Sequence, residues 1–269
     1  MADFFRATES DIRRFQDEGF LIVPKLFSDD EAVLMGRYAR ADQQLVRHAT
    51  SRSDAQGGTT TLSLSNDLGS DLYAAVVRSS RVALNMSKFL GDEVYHYHHK
   101  MMLKEPRVGG AWEWHQDYGY WYNYGCLYPT MGSCFLAVDP ATRANGCLQI
   151  IARSHLIGRI DHGKVGGQTG ADLERVNAAL EKLPLLYVEM EPGDGLFFHG
   201  NLLHRSDQNT SENPRWALIC CYNTKSNDPY KPSRHPNYSP LALLEDDKWK
   251  TIARDELERV MMAQTNATS

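Results

Sequence analysis

Apolar and polar positions recur along this chain with two different periods. Residues 10–18 place Ile12 and Phe15 at helical spacing and stop at Gly19, which predicts a short amphipathic helix. The apolar run 20–23, ended by Pro24, reads as a strand. Ser28 and Glu31 then stand at the S-x-x-E spacing of a capping box, and the helix they start is expected to reach Val46. Residues 51–70, rich in Ser, Thr, Gly and Asp, read as a loop, and a third helical stretch falls within 71–90.

After Gly91 the period shortens. Over 94–191 and again over 196–222, short β-type runs alternate with Gly, Pro, Asn and Asp, the pattern of a sandwich or barrel of antiparallel strands. A helical insert at about 171–182 interrupts it, residues 227–240 are irregular, and a last helix is expected over 249–263. The fold class is therefore mainly β with flanking helices. With no internal repeat, 1–269 reads as one domain: a mainly helical N-terminal layer (1–90), a β core (91–222), and a C-terminal irregular segment and helix (223–269).

Composition narrows the partners. A net charge of −5 without a basic stripe argues against nucleic acid. The longest unbroken apolar run, Trp216 to Tyr222, is seven residues, far short of a membrane span. The N-terminus has no apolar segment of the secretory kind. Five cysteines at 126, 134, 147, 220 and 221 include no C-x-x-C pair, so reduced thiols and a cytoplasmic location are expected.

The candidate chemistry lies in two segments. In WEWHQDYGYW (112–121), His115 and Asp117 would share one face of a strand with Gln116 pointing outward. In the second segment His204 precedes Arg215 by eleven residues, with the turn-forming QNTSENP between them. A hairpin folded there would place Arg215 beside His204 to Ser206 on the neighbouring strand. Two histidines and a carboxylate form the facial triad of non-haem Fe(II) oxygenases, leaving positions for a chelating cosubstrate and O2. A guanidinium several ångströms away suits the far carboxylate of 2-oxoglutarate.

At these residues the sequence resembles the phytanoyl-CoA dioxygenase family of Fe(II)/2-oxoglutarate oxygenases. The likeness rests on WHQDYGYW, on NGCLQIIARSH (145–155), on EPGDGLFFHGNLLHRSDQN (191–209) and on Arg215, and extends to the opening FQDEGFLIVPKLFSDDE. It implies a double-stranded β-helix (jelly roll, cupin-like) core. It also implies His115, Asp117 and His204 as iron ligands, Arg215 with Ser206 at the 2-oxoglutarate C5 carboxylate, and Lys104, with Lys100 as competitor, as the family's upstream lysine. Trp121 fills the family's aromatic position six residues after the first histidine. The implied cofactors are Fe(II), 2-oxoglutarate and O2, with ascorbate as a reductant. The implied reaction oxidises an unactivated C–H bond of a small molecule while 2-oxoglutarate becomes succinate and CO2. Since halogenating relatives carry a small residue in place of the carboxylate, Asp117 disfavours halogenation.

If 94–104 is one strand, His96, His98, Lys100 and Lys104 share a face, which a jelly roll would turn to its ligand cavity. His98, Trp121 and Tyr120 are the expected substrate contacts, and most of the tyrosines between 118 and 128 are expected in the core. His199 and His155 read as structural, and His48, His162 and His235 as surface residues. Residues 51–70 and 162–170 are candidate lids. The rival reading is a cupin-type metal-dependent isomerase or a small-molecule-binding jelly roll. Neither has a use for Arg215 and Ser206 at this spacing.

Overall fold

The computed structural model describes residues 4–54 and 57–267. Helix α1 (Glu9–Glu18) starts at Thr8, whose hydroxyl accepts from the Asp11 N–H while the Asp11 carboxylate accepts from the Thr8 N–H. It ends on Gly19 at φ 83°, a left-handed turn that glycine makes without strain. After β1 (Phe20–Val23) comes α2 (Asp29–Ala41), whose Glu31 carboxylate accepts from the Ser28 N–H. The helix expected to reach Val46 breaks at Asp42, which caps a separate α3 (Gln43–Arg47) by accepting from the Gln44 N–H.

Residues 51–70 are not the loop their composition suggested. They carry β2 (Thr50–Ser53) and β3 (Thr59–Ser65), a hairpin on the edge of the main sheet; Ala55 and Gln56 lie outside the described residues. The helical stretch within 71–90 divides at Ser79 (ψ 130°) into α4 (Leu72–Arg78) and α5 (Ser80–Leu90). Strands β4 (Val94–Lys104) and β5 (Trp112–His115) follow, then α6 (Asp117–Trp121), β6 (Met131–Ala137) and β7 (Leu148–Ile151). The chain continues through β8 (His162–Val165), β9 (Gln168–Ala171), α7 (Leu173–Lys182) and β10 (Leu185–Val188). It closes with β11 (Gly195–His199), β12 (His204–Ser206), β13 (Arg215–Thr224) and α8 (Trp249–Ala267).

These strands make two facing antiparallel sheets, the jelly-roll arrangement. The larger has the order β1-β11-β6-β13-β4-β3-β2 and the smaller β10-β7-β12-β5; β8 and β9 pair apart from both. Helices α1, α2, α4, α5 and α8 cover the outer face of the larger sheet, while α7 lies over the smaller one. Strand β13 shows why residues 216–222 are apolar without interruption. Leu218, Cys220 and Tyr222 pack against the helices, and Ala217, Ile219 and Cys221 face the space between the sheets.

Strand β4 departs from simple alternation. Its pairing with β13 steps from His98↔Cys221 to His96↔Tyr222, so Tyr97 is an inserted residue. His98, Lys100 and Lys104 share a face as expected, but His96 does not. It turns to the helical side, where its Nε2 lies 3.0 Å from His99 Nδ1.

Burial pushes the imidazoles of His96 and His199 down to about 3. Below pH ~6.5 the unfolded chain protonates these groups while the fold keeps them neutral, so stability falls as pH drops. Each should cost roughly 2 kcal/mol by pH 5. Urea unfolding of the metal-free protein at pH 7 and pH 5 checks this, with a clearly lower midpoint expected at pH 5.

Candidate active site

The ends of β5 and β12 build the candidate metal site. The two strands are hydrogen-bonded neighbours in the smaller sheet, and His204 lies directly opposite His115. The strand carrying His115 stops at that residue, and Asp117 begins α6 rather than continuing the strand. Gln116 between them is still extended (φ −112°, ψ 132°), which keeps the side chains of 115 and 117 on one side. The ligand atoms offered by His115, Asp117 and His204 all lie within 4.8 Å of one another, and all three residues are buried.

Backbone carbonyls fix both imidazoles. His115 Nδ1 donates to Glu113 O at 2.8 Å and His204 Nδ1 to Leu202 O at 2.9 Å. A carbonyl only accepts, so Nδ1 carries the proton and each Nε2 presents a lone pair to the other ligands. Burial, with the facing His204, pushes His115 well below the usual imidazole range, and His204 is pushed down by burial as well. Both rings therefore stay neutral and ready to ligate. Burial opposes the charged form of Asp117, yet the Lys100 ammonium beside it and the hydrogen bond from Ser133 outweigh it and hold the carboxyl below its ordinary value. Lys100 Nζ lies 3.8 Å from Asp117 Oδ1, and Ser133 Oγ donates to Oδ2 at 3.1 Å.

Arg215 reaches this cavity by a different route from the one its spacing suggested. The turn after Ser206 does not close a hairpin between β12 and β13. It carries the chain from one sheet to the other, where Arg215 pairs with Lys104 of β4. The three-residue β12 already has β7 and β5 on its two edges and has no edge left for β13. Arg215 thus faces His204 and Ser206 across the sandwich, all three lining one cavity. The residue is 2 % exposed, and its guanidinium lies over the Phe135 ring at 5.6 Å. Neither Nε nor Nη1 has a hydrogen-bond partner. Burial pushes its pKa down to about 10, which leaves it charged at neutral pH.

Lys104 stands behind this cation. Its Nζ donates to Ser206 Oγ at 2.9 Å and to the Asp207 carbonyl, and burial together with the charge of Arg215 pushes its pKa well down. Lys100, not Lys104, lines the cavity wall, along with Met102, Phe135, Leu148, Phe198 and Ile219. An unpartnered, desolvated guanidinium beside a tethered serine hydroxyl fits a carboxylate. Two bare imidazole nitrogens and a carboxylate fit a divalent iron.

The expected substrate contacts are distributed unevenly. His98 is 3 % exposed, its Nδ1 lacks a partner, and its ring packs against Trp121 at 5.8 Å and His235 at 5.2 Å. Trp121 is buried in the core between the sheets, edge-on to Tyr97. Tyr120 lies 5.7 Å from the His115 ring, and its hydroxyl donates to Thr169 O at 2.7 Å. That bond fastens the β8–β9 hairpin, one of the two lid candidates, beside β5. The other candidate is pinned by Asp54, whose carboxylate accepts from the N–H groups of Gly58 and Ala111.

One histidine expected at the surface is buried: His235 is 5 % exposed and stacks on Tyr97 at 4.4 Å. His162 is half-buried and accepts from the Gln116 N–H. His48 is exposed as expected. His199 is structural, its Nδ1 accepting from the Asn201 N–H, and the His155 ring bonds to Gln16 O. Sequence reasoning misses Gln116 and Ser133. Strand alternation points the first outward, and nothing local marks the second.

The model of the phytanoyl-CoA dioxygenase family matches residues 15–217. The chain belongs to that family. Its relatives include L-proline trans-4-hydroxylase of Streptomyces griseoviridis, 26 % identical over 83 % of this chain and 89 % of that protein. The ectoine dioxygenase of Bordetella parapertussis is 25 % identical over 90 % and 83 %. Among solved structures, iron-bound EctD from S. alaskensis superposes with a TM-score of 0.75 at 21 % identity, covering 89 % of this chain and 88 % of that one. The same fold recurs in that protein with 2-oxoglutarate and 5-hydroxyectoine, at a TM-score of 0.74. With the triad geometry and this membership together, the protein is an Fe(II)/2-oxoglutarate-dependent oxygenase. Among the described residues no helix is long and apolar enough to cross a membrane.

Proposed function

We propose that His115, Asp117 and His204 hold the iron, that Arg215 and Ser206 receive the C5 carboxylate of 2-oxoglutarate, and that the substrate is a small, ring-containing, carboxylated metabolite. The buried guanidinium of Arg215, short of partners at two nitrogens and facing the triad, carries the cosubstrate assignment. A cupin-type isomerase or a simple binding module would bury that charge to no purpose. Lys104 acts behind Ser206, holding its hydroxyl by a 2.9 Å bond.

Iron with 2-oxoglutarate and O2 supplies the oxidising power that breaks a substrate C–H bond, with succinate and CO2 as by-products. The chain's own part is to bind, orient and exclude. Arg215 and Ser206 fix one end of the cosubstrate. Phe135, Phe198 and Ile219 keep the cavity wall apolar, which limits water at the reacting centre. His98 offers an unused imidazole nitrogen backed by the core residue Trp121, and Tyr120, 5.7 Å from the His115 ring, forms the aromatic side of the substrate position. A ring stacked there with a carboxylate towards Lys100 accounts for both features. The relatives that act on proline and ectoine, both small rings bearing a carboxylate, support the same class.

Succinate formation with a panel of cyclic amino acids, ectoine-like rings, alkylphosphonates and acyl-CoA thioesters tests the reading. A cyclic amino-acid-like compound should give succinate and a product heavier by about 16 mass units, one oxygen. Turnover confined to acyl-CoA thioesters would overturn the substrate class.

A further inference from the structure

The residue between the two ligands of the first segment has its own bonding network. Gln116 is completely buried, and its side chain uses every hydrogen-bonding group it has. Its Nε2 donates to Gly158 O and to Asn201 O, each at 2.8 Å, and its Oε1 accepts from the Ile160 N–H at 2.7 Å. Its backbone N–H donates to His162 Nε2 at 3.0 Å, and His162 Nδ1 donates in turn to Ile160 O at 2.8 Å. The amide therefore closes a ring through residues 158–162.

The bond to Asn201 matters most for the metal. Asn201 immediately precedes Leu202, whose carbonyl holds His204 Nδ1–H. The neighbouring Gly200 carbonyl accepts from the Tyr118 N–H at 2.9 Å, just past Asp117. The segment carrying His115 and Asp117 and the segment carrying His204 are thus joined outside their strand pairing by a side-chain amide that touches no ligand atom. We propose that Gln116 is a positioning residue for the metal centre, setting the distance between the two ligand-bearing segments before any ion arrives. A preset distance spares the ion the work of ordering its own ligands, so the residue acts on metal affinity.

This inference rests on the triad being the metal site, and a Co(II) titration of the metal-free protein separates the two claims. Failure of the unaltered protein to bind Co(II) while His115→Ala behaves identically would sink the triad itself. If the triad stands, Gln116→Met should weaken Co(II) by about 10- to 100-fold and shift its visible ligand-field bands. The affinity of the cobalt-saturated variant for 2-oxoglutarate should stay within about threefold, because Arg215 and Ser206 are untouched. His162→Ala, which removes the acceptor of the Gln116 N–H and the donor to Ile160 O but leaves the side-chain amide bonds to Gly158, Ile160 and Asn201 in place, should leave Co(II) affinity near that of the unaltered protein. Gln116→Glu keeps the acceptor for Ile160 and removes both donors, so it should weaken the metal like Gln116→Met. A folded Gln116 variant with unchanged Co(II) affinity and spectrum overturns the proposal. So does failure of both variants to fold, which would make Gln116 a residue of the fold alone.

Discussion

Replacing Arg215 with methionine should weaken 2-oxoglutarate by about 100-fold or more while leaving the metal-free protein at least as stable as before. Both halves follow from one observation. Arg215 is 2 % exposed and two of its nitrogens have no partner, so the metal-free fold bears the cost of an uncompensated buried cation. Methionine fills a similar volume, keeps contact with the Phe135 ring, and removes that cost. In the complex the balance reverses, since a carboxylate would meet paired charge-assisted donors in a dry cavity. Truncating one side of such a buried pair costs about 2–5 kcal/mol, and roughly 3 kcal/mol is a hundredfold in affinity. Calorimetric titration of 2-oxoglutarate into the anaerobic iron-loaded protein, beside thermal melts without metal, measures both. Arg215→Lys should recover only part of the affinity, because a point charge cannot reproduce a planar fork. Unchanged 2-oxoglutarate affinity in Arg215→Met would place the cosubstrate elsewhere in the cavity.

The chemistry was more legible in the sequence than the route by which the fold assembles it. His115 and Asp117 are two residues apart, so local geometry alone brings them together, and the helix start at Asp117 does not undo this because Gln116 remains extended. The spacing ties Arg215 to His204 correctly, but for an incomplete reason. The turn residues show that the chain reverses between them, yet nothing local can show that β12 has both edges occupied and that β13 belongs to the opposite sheet. Strand β4 illustrates a second limit. Alternation predicts faces only while the register is unbroken, and the inserted Tyr97 sends His96 to the helical side. Residues 59–65, TTTLSLS, are hidden by composition: Ser and Thr suggest a loop, but the β-branched threonines suit a strand paired between β2 and β4. Gln116 is hidden because a single polar residue between two ligands gives no sign of the carbonyls and N–H that surround it in the fold.

Asp117→Asn should abolish turnover by removing iron, not by disturbing the fold. The amide has the shape of the carboxylate and can still accept from Ser133, so the packing around residue 117 survives. What disappears is the only negative charge among the three ligand groups. At an effective dielectric of about 20, a dication and a carboxylate oxygen about 2.1 Å apart attract by roughly 15 kcal/mol before desolvation is subtracted. Retaining even a quarter of that as net affinity makes the expected loss about a thousandfold. Lys100 sharpens the effect. Its ammonium is 3.8 Å from Asp117 Oδ1, and with the carboxylate gone it would repel the incoming ion without a countercharge. The metal-free variant gives a second readout with a definite sign. The folded carboxyl of Asp117 is held below its ordinary value, so its ionisation stabilises the fold above the unfolded pKa near 4 and ceases to do so as pH falls through the folded value. Metal-free Asp117→Asn should therefore be less stable than the unaltered protein at pH 7, and the gap should narrow under acid conditions below about pH 4. Iron titration and denaturant melts at the two pH values test both statements. An Asp117→Asn variant that bound iron within about tenfold of the unaltered protein would mean that the carboxylate is not a ligand, and the two histidines would then need another partner.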